Sequence, residues 1–245
     1  MRVVSQLLLI LVRHGETEAN RAGILQGHCD YPLTSLGKEQ ARRAGAALAG
    51  VSFARVFSSD LKRAYDTACL ISDSTGGSLA LSEIHQEGLV KEKAFGLMER
   101  LPRGTDLQEA KVIVAERDGI SIDEVESKYP PAETQEQMKV RQDAFVRSLT
   151  RQNLPPDSKV LVVSHGAYIK AFVSNMCSIP IDEVERIKNC SVTGIHIGMA
   201  CDGAYECSLV EGGLNCYAHQ VTVTSAAEEL EFEGGDEDEL AWLRM

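Results

Sequence analysis

Leu7-Leu8-Leu9-Ile10-Leu11-Val12-Arg13-His14-Gly15-Glu16-Thr17 is six apolar residues that end abruptly on a cation, an imidazole and a glycine. A short, continuous apolar run closed by a turn residue is the pattern of a strand buried on both faces. With helix resuming near Thr17, Arg13 and His14 fall at the carboxyl end of a sheet, where open α/β sheets bind ligands. Side by side, the two suit phosphate. A guanidinium clamps the oxygens, and a neutral imidazole attacks phosphorus. The alternative reading of this tripeptide alone is a strand-end Arg and His that merely face solvent.

Outward from this strand the chain alternates. Ser35 to Leu48 is alanine-rich and predicts a helix. Ala54 to Phe57 reads as a second strand, Leu61 to Ser72 as a second helix, and Ser78 to Leu81 as a third short strand. An irregular charged stretch, Glu83 to Arg103, precedes two weaker helices at Asp106 to Arg117 and Ser121 to Ser127. Pro130-Pro131 breaks the chain before an amphipathic helix from Glu133 to Arg151, whose Met138, Phe145 and Leu149 share a core-facing stripe. Lys159 to Ser164 is again a buried strand, and His165 opens a helix to Cys177. Val192 to Val223 suits two or three antiparallel strands. This order predicts an α/β fold, a three-layer α/β/α sandwich on a mostly parallel sheet. The expected division is a single domain over residues 1–225 and an acidic tail over residues 226–245, mobile or loosely docked.

Composition narrows the function classes. At 245 residues the chain can bury a sizeable core, and its 44% hydrophobic and 25% charged content are those of a water-soluble globular protein. The apolar run from Leu7 is far too short to span a membrane. Arg2 followed by that run resembles a signal peptide, but no small-residue cleavage site follows, so the segment reads as a core strand. Seven cysteines without a Cys-x-x-Cys pair argue for reduced thiols in the cytoplasm and against a structural zinc site. The net charge of −11 is concentrated between Glu228 and Glu239, which hold eight carboxylates and no basic residue. No basic stripe invites nucleic acid, no metal or other cofactor is implied, and oligomeric state is not legible.

Further segments extend the first motif into a site. In Ser58-Ser59-Asp60-Leu61-Lys62-Arg63, Arg63 stands in the first turn of a helix directly after a strand. Val162-Val163-Ser164-His165-Gly166 repeats the strand-His-Gly-helix arrangement of His14, although a lone His165 reads equally well as a core histidine. Two Arg and two His at one sheet edge, with the backbone N–H groups of helix starts such as that at Gly166, make a box for a phosphoryl group. Transfer through histidine also needs an acid and a base. Glu92 in Leu89-Val90-Lys91-Glu92-Lys93 is one candidate, with Glu83, Glu87 and Glu99 as competitors.

Five segments, Leu11 to Asn20 (LVRHGETEAN), Asp30 to Gly37 (DYPLTSLG), Ser58 to Ala68 (SSDLKRAYDTA), Glu92 to Gly96 (EKAFG) and Val162 to Gly166 (VVSHG), together resemble the histidine phosphatase superfamily, which has the phosphoglycerate mutase-like fold. The resemblance implies that His14 is phosphorylated, that Arg13, Arg63 and His165 hold the phosphoryl group, and that Glu92 donates and accepts the proton. It also implies a phosphate contact at Asn20 and a substrate-bordering loop at Gln26 and Gly27. Within the superfamily the chain is most similar to the TIGAR-type fructose-2,6-bisphosphatases, through Leu25-Gln26-Gly27, the basic flanks of Glu92, Pro130-Pro131 before Glu133-Thr134, and Val162 to Tyr168. Ala167 stands where the mutases usually carry Asn, which favours a phosphatase. Lys91, Lys93, Arg100 and Arg103 are candidates for a second phosphate. Two departures fall where specificity is set: Arg100 in place of a glycine, and Pro130-Pro131-Ala132-Glu133, one residue shorter than usual. The alternatives are a phosphoglycerate mutase, a phosphoprotein phosphatase and an inactive phosphate-binding scaffold.

Overall fold

The computed structural model describes residues 3–75, 84–216, 221–223, 230–232, 240 and 242–243. Strand β1 (Val3–Arg13) is the apolar run, and its alternation builds both cores at once. Leu7, Leu9 and Leu11 point to one side of the sheet, where α6 (Gln135–Thr150) and α7 (Gly166–Cys177) cover them with Met138, Phe145, Tyr168 and Phe172. Leu8, Ile10 and Val12 point to the other side, against Ala41, Ala44 and Leu48 of α2 (Ser35–Ala47) and Ala64, Ala68 and Ile71 of α3 (Lys62–Ser74). A strand buried on both faces has no polar side to show, which is why the run is apolar throughout. The expected three layers are present.

The six-stranded sheet has the order β3-β2-β4-β1-β5-β6, with β2 at Arg55–Ser58, β3 at Ile84–Gln86, β4 at Ser158–Ser164, β5 at Val192–Ala200 and β6 at Tyr205–Leu209. The first four strands in that order are parallel, and β5 and β6 run antiparallel to them. The strand expected at Ser78 to Leu81 lies outside the described residues. The third parallel strand within them is β3, whose Ile84-His85-Gln86 carries one apolar residue and therefore little strand signal. Beyond β6, β7 (Val221–Val223) pairs antiparallel with β8 (Leu230–Phe232).

Between sheet and site, two features fix where the strands end. Arg13 pairs in register with Ser164, so His14 and His165 leave neighbouring parallel strands at the same height. The turn after β1 then passes the start of α2 at very close range. A Cβ on Gly15 would stand 2.3 Å from the Gly37 carbonyl oxygen, and one on Gly37 would stand 2.0 Å from that of Glu16. Only glycines allow that approach.

Helices α4 (Leu107–Asp118) and α5 (Ile122–Lys128) form a satellite around Ala110, Val114 and Val125, packed beside the Glu92 loop through Leu97 and Met98. Most of the acidic tail falls outside the described residues, but residues 240, 242 and 243 do not. Leu240 and Leu243 are buried with the α2 and α3 side of the core, and the Trp242 ring covers Gly194 of β5. No helix among the described residues is long and apolar enough to cross a membrane.

Candidate active site

Neighbouring strands in a sheet lie about 4.8 Å apart, and in-register ends put the rings of His14 and His165 at a centroid distance of 5.1 Å. Both are sealed from solvent, at 2% and 0% exposure. Nδ1 of His14 lies 2.7 Å from the Gly15 carbonyl oxygen. That oxygen can only accept, so Nδ1 carries the proton and Nε2 keeps its lone pair. Burial pushes His14 well below the ordinary histidine range, with the Arg63 and Arg13 charges adding to the effect. His165 is lowered in the same way, by burial first and then by Arg63 and His14. The first imidazole is thus neutral and correctly protonated for nucleophilic attack.

The two arginines are held from the backbone. Arg13 donates from Nη1 to the Ile187 carbonyl at 2.7 Å, and burial lowers its guanidinium to about 10, still charged at neutral pH. Arg63 donates to the carbonyls of Cys29 and Gly27, each at 2.8 Å, and pairs with Asp30 at 3.1 Å. Asp30 also accepts from the backbone N–H of Lys62 at 2.8 Å, capping a helix whose own N-cap, Leu61, offers no side-chain acceptor. In this way the loop from Gln26 to Asp30 and the start of α3 are tied into one unit. Gly27 has φ +52, and a Cβ there would lie 2.1 Å from the Glu99 carboxylate.

Glu92, at 9% exposure, caps α7 from outside the helix. Its carboxylate accepts from the backbone N–H groups of Lys93 (2.9 Å), Tyr168 (3.0 Å) and Ala167 (3.3 Å). Of the competitors, Glu87 accepts from Leu89 N–H in its own turn, and Glu99 is spent on His28, Phe95 and Cys29. Glu83 lies outside the described residues.

One cleft of about 240 Å³ collects Arg13, His14, Asn20, Gln26, Gly27, Arg63, Glu92 and Gly166. His165, its ring tilted against that of His14, is not among the residues that line the cleft. Several polar atoms at this cleft have no hydrogen-bond partner among the described residues: Nε of Arg13 and of Arg63, Nδ2 of Asn20, Oε1 of Gln26 and both ring nitrogens of His165. Buried polar groups are rarely left this way, and most of these are donors suited to an anion. Asn20 is set by α1 (Glu18–Arg21), where it and Thr17 form a reciprocal capping box, and by Asn189, which donates to its Oδ1 at 3.2 Å.

Of the four basic residues expected to meet a second phosphate, Arg103 alone lines the cleft. The Lys93 ammonium instead sits 5.7 Å over the Phe95 ring, Lys91 pairs with Asp60 at 2.8 Å, and Arg100 donates to the Cys29 sulfur at 3.2 Å. In an irregular loop, proximity in sequence to Glu92 did not translate into a shared direction. Two cations absent from the sequence reading do line the cleft, Lys170 and Arg186. Lys170 stands one turn beyond Gly166, a spacing that could have found it. Arg186 lies in an irregular loop and carried no signal.

The model for the histidine phosphatase superfamily (branch 1) matches residues 9–201, and the chain belongs to that superfamily. Among its relatives, a protein of Enterobacter sp. (strain 638) named "Probable phosphoglycerate mutase GpmB" is 30% identical over 196 residues, covering 77% of this chain and 84% of that one. The crystal structure of phosphoglycerate mutase from Bacillus anthracis superposes with a TM-score of 0.66 at 27% identity, covering 87% of this chain and 96% of its own. The mycobacterial glucosyl-3-phosphoglycerate phosphatase in complex with VO3 gives 0.65 at 25% identity, covering 85% and 98%. The chain is therefore phosphoglycerate mutase-like in fold, in a superfamily of phosphatases and mutases.

Proposed function

We propose that the chain is a phosphomonoester hydrolase working through a phosphohistidine at His14, on a small sugar bisphosphate such as fructose 2,6-bisphosphate. The observation that carries this reading is the neutral, Nδ1-protonated His14 facing a cleft with Arg13, Arg63 and Glu92. In the first step the Nε2 lone pair forms the N–P bond as the P–O bond to the sugar breaks, and protonated Glu92 gives its proton to the leaving oxygen. In the second, water forms a P–O bond as the N–P bond breaks. The electron pair returns to Nε2, and the Glu92 carboxylate takes the water proton. Arg13 and Arg63 line the cleft where the equatorial oxygens sit, and His165, beside His14, adds an unpartnered ring nitrogen at the edge of that cradle; fixed donors there lower the barrier most.

Support for a bisphosphate comes from the rest of the cleft. Arg103, Lys170 and Arg186 form no ion pair among the described residues. Desolvation and the nearby Arg186 charge lower the Arg103 guanidinium, and Arg103 and Arg186 in turn help lower that of Arg13. Cations that repel one another around one space suit a second anionic group. A volume near 240 Å³ suits a small metabolite, below the ~300–1,000 Å³ common for drug-sized ligands. The fructose-2,6-bisphosphatase assignment within this class rests on the resemblance of Leu25-Gln26-Gly27 and the other segments named above.

The test is phosphate release from fructose 2,6-bisphosphate by the wild type and by His14→Ala, in EDTA. Release that disappears in the variant is expected. Release that persists in His14→Ala would overturn the mechanism, and none from the wild type would overturn the substrate. The name of the Enterobacter relative favours a second reading, a phosphoglycerate mutase, against which Ala167 stands. Interconversion of 2- and 3-phosphoglycerate without phosphate release would decide for it.

A further inference from the structure

We infer that Arg141 is a positioning residue for Glu92, holding the loop that carries the acid–base carboxyl without itself meeting substrate. This rests on the phosphohistidine reading. Arg141 reaches from α6 with all five of its N–H donors engaged. Nη1 donates to the carbonyls of Leu89 (2.8 Å) and Lys91 (2.7 Å), and Nη2 to that of Glu92 (3.3 Å). Nε and Nη2 donate to the two carboxylate oxygens of Glu133 at 2.6 and 3.0 Å. A guanidinium has five donors in a fixed fork, so none remains for a ligand, and Arg141 does not line the cleft.

What the fork holds is backbone that has no ladder of its own. The chain leaves a single 3-10 turn, Gly88–Val90, and Lys91 is extended. No regular element contains Glu92, and the Lys91 and Glu92 carbonyls meet Arg141 instead of a neighbouring strand, the Glu92 carbonyl also lying 2.9 Å from Nε2 of His28. Glu133 extends the clamp past Glu92, since its N–H donates to the Ala94 carbonyl at 2.8 Å and its carboxylate accepts from Ala94 N–H at 3.3 Å. The other end of the acid is fixed by the same group. The Arg141 guanidinium lies 4.8 Å from the Tyr168 ring centroid, and the Tyr168 N–H is one of the donors to the Glu92 carboxylate. One cation thus joins the backbone from which Glu92 projects, which His28 holds from the other side of the same carbonyl, to the helix start on which the Glu92 carboxylate rests. Among the described residues it makes no hydrogen bond to Arg13, His14, Arg63 or His165, and it reaches the phosphoryl cradle only as the least of the charges acting on His165.

The consequence is separable in the two half-reactions. p-Nitrophenolate departs without needing a proton, so phosphorylation of His14 by p-nitrophenyl phosphate does not require Glu92 in place. Hydrolysis of the phosphohistidine does, because water must lose a proton. Arg141→Ala should lower steady-state turnover by about 10²-fold, the scale of a misplaced catalytic group. Alkaline rapid-quench should show phosphoenzyme forming at the wild-type rate and accumulating, and inhibition by orthovanadate should be unchanged. Added guanidinium ion should restore part of the turnover. Arg141→Lys should behave like the alanine variant, because one ammonium cannot span three carbonyls and a carboxylate, and it carries the test if Arg141→Ala does not fold. Phosphoenzyme formation slowed as much as turnover, weakened orthovanadate inhibition, or unchanged turnover would each overturn the assignment. A wild type that forms no phosphoenzyme would remove the phosphohistidine reading and this inference with it. A normal variant beside a phosphorylated wild type would remove this inference alone.

Discussion

Acid should destabilise this protein through the same two histidines that define its site. His14 and His165 are neutral in the folded state because burial, with the nearby arginines, pushes both well below the ordinary value of 6.5. In the unfolded chain they titrate normally. Below pH 6.5 the unfolded state therefore binds more protons than the folded state, and stability falls as pH falls. Above 6.5 neither state protonates them and the effect vanishes. Between pH 7 and pH 5 an unfolded imidazole gains up to about 1.9 kcal/mol from protonation, the limit reached when the folded ring takes up none, so two rings give up to about 3.8 kcal/mol. Carboxylates contribute over the same range, and a reference variant removes them from the comparison. Urea unfolding at pH 7, 6 and 5 should show a steeper loss for the wild type than for His14→Gln/His165→Gln, which keeps every carboxylate. Parallel pH dependences in the two proteins would mean that the folded imidazoles titrate normally, and the neutral-nucleophile argument would fail.

Other perturbations follow from single positions. Arg100 is held at φ +71 at the surface, a left-handed conformation that costs a non-glycine residue ~1–2 kcal/mol; Arg100→Gly should raise Tm by about 2–4 °C in a thermal melt, and a lower Tm would show that the Cys29 contact outweighs the strain. Leu243 is 1% exposed in the core, so Leu243→Ala should lose about 2–5 kcal/mol in urea unfolding, whereas no loss would mean that this side chain does not dock in the core. Arg63→Ala removes a donor to the phosphoryl oxygens and the three bonds that hold the Gly27 to Asp30 loop; kcat/KM for p-nitrophenyl phosphate should fall by about 10²-fold or more, and a drop confined to a few-fold would contradict its role.

The fold was legible wherever burial was two-sided or turn chemistry was strong. The β1 and β4 runs could only be central strands, and their shared endings on histidine and glycine placed both imidazoles before any coordinates. Strand β3, Ile84–Gln86, shows the opposite case, since a short edge strand with a single apolar residue carries too little pattern to announce itself. The site divides in the same way. Arg13, His14, Arg63 and His165 follow directly from strand ends and a first helical turn, so local sequence determines their direction. Lys93 and Arg100 sit in irregular backbone, where direction depends on partners distant in sequence, and neither reaches the cleft. Lys170, Arg186 and Arg141 were missed because their roles come from tertiary packing, from a helix interior, a loop and the face of α6.

The central claim is that His14 carries the phosphoryl group. The most direct measurement is to mix the enzyme with labelled substrate, quench in alkali where phosphohistidine survives, and map the label by mass spectrometry of the peptides. The account predicts label on His14, formed before phosphate appears and lost on standing in water. Label on another residue, or phosphate released in a single turnover with no labelled enzyme at any time, would contradict it.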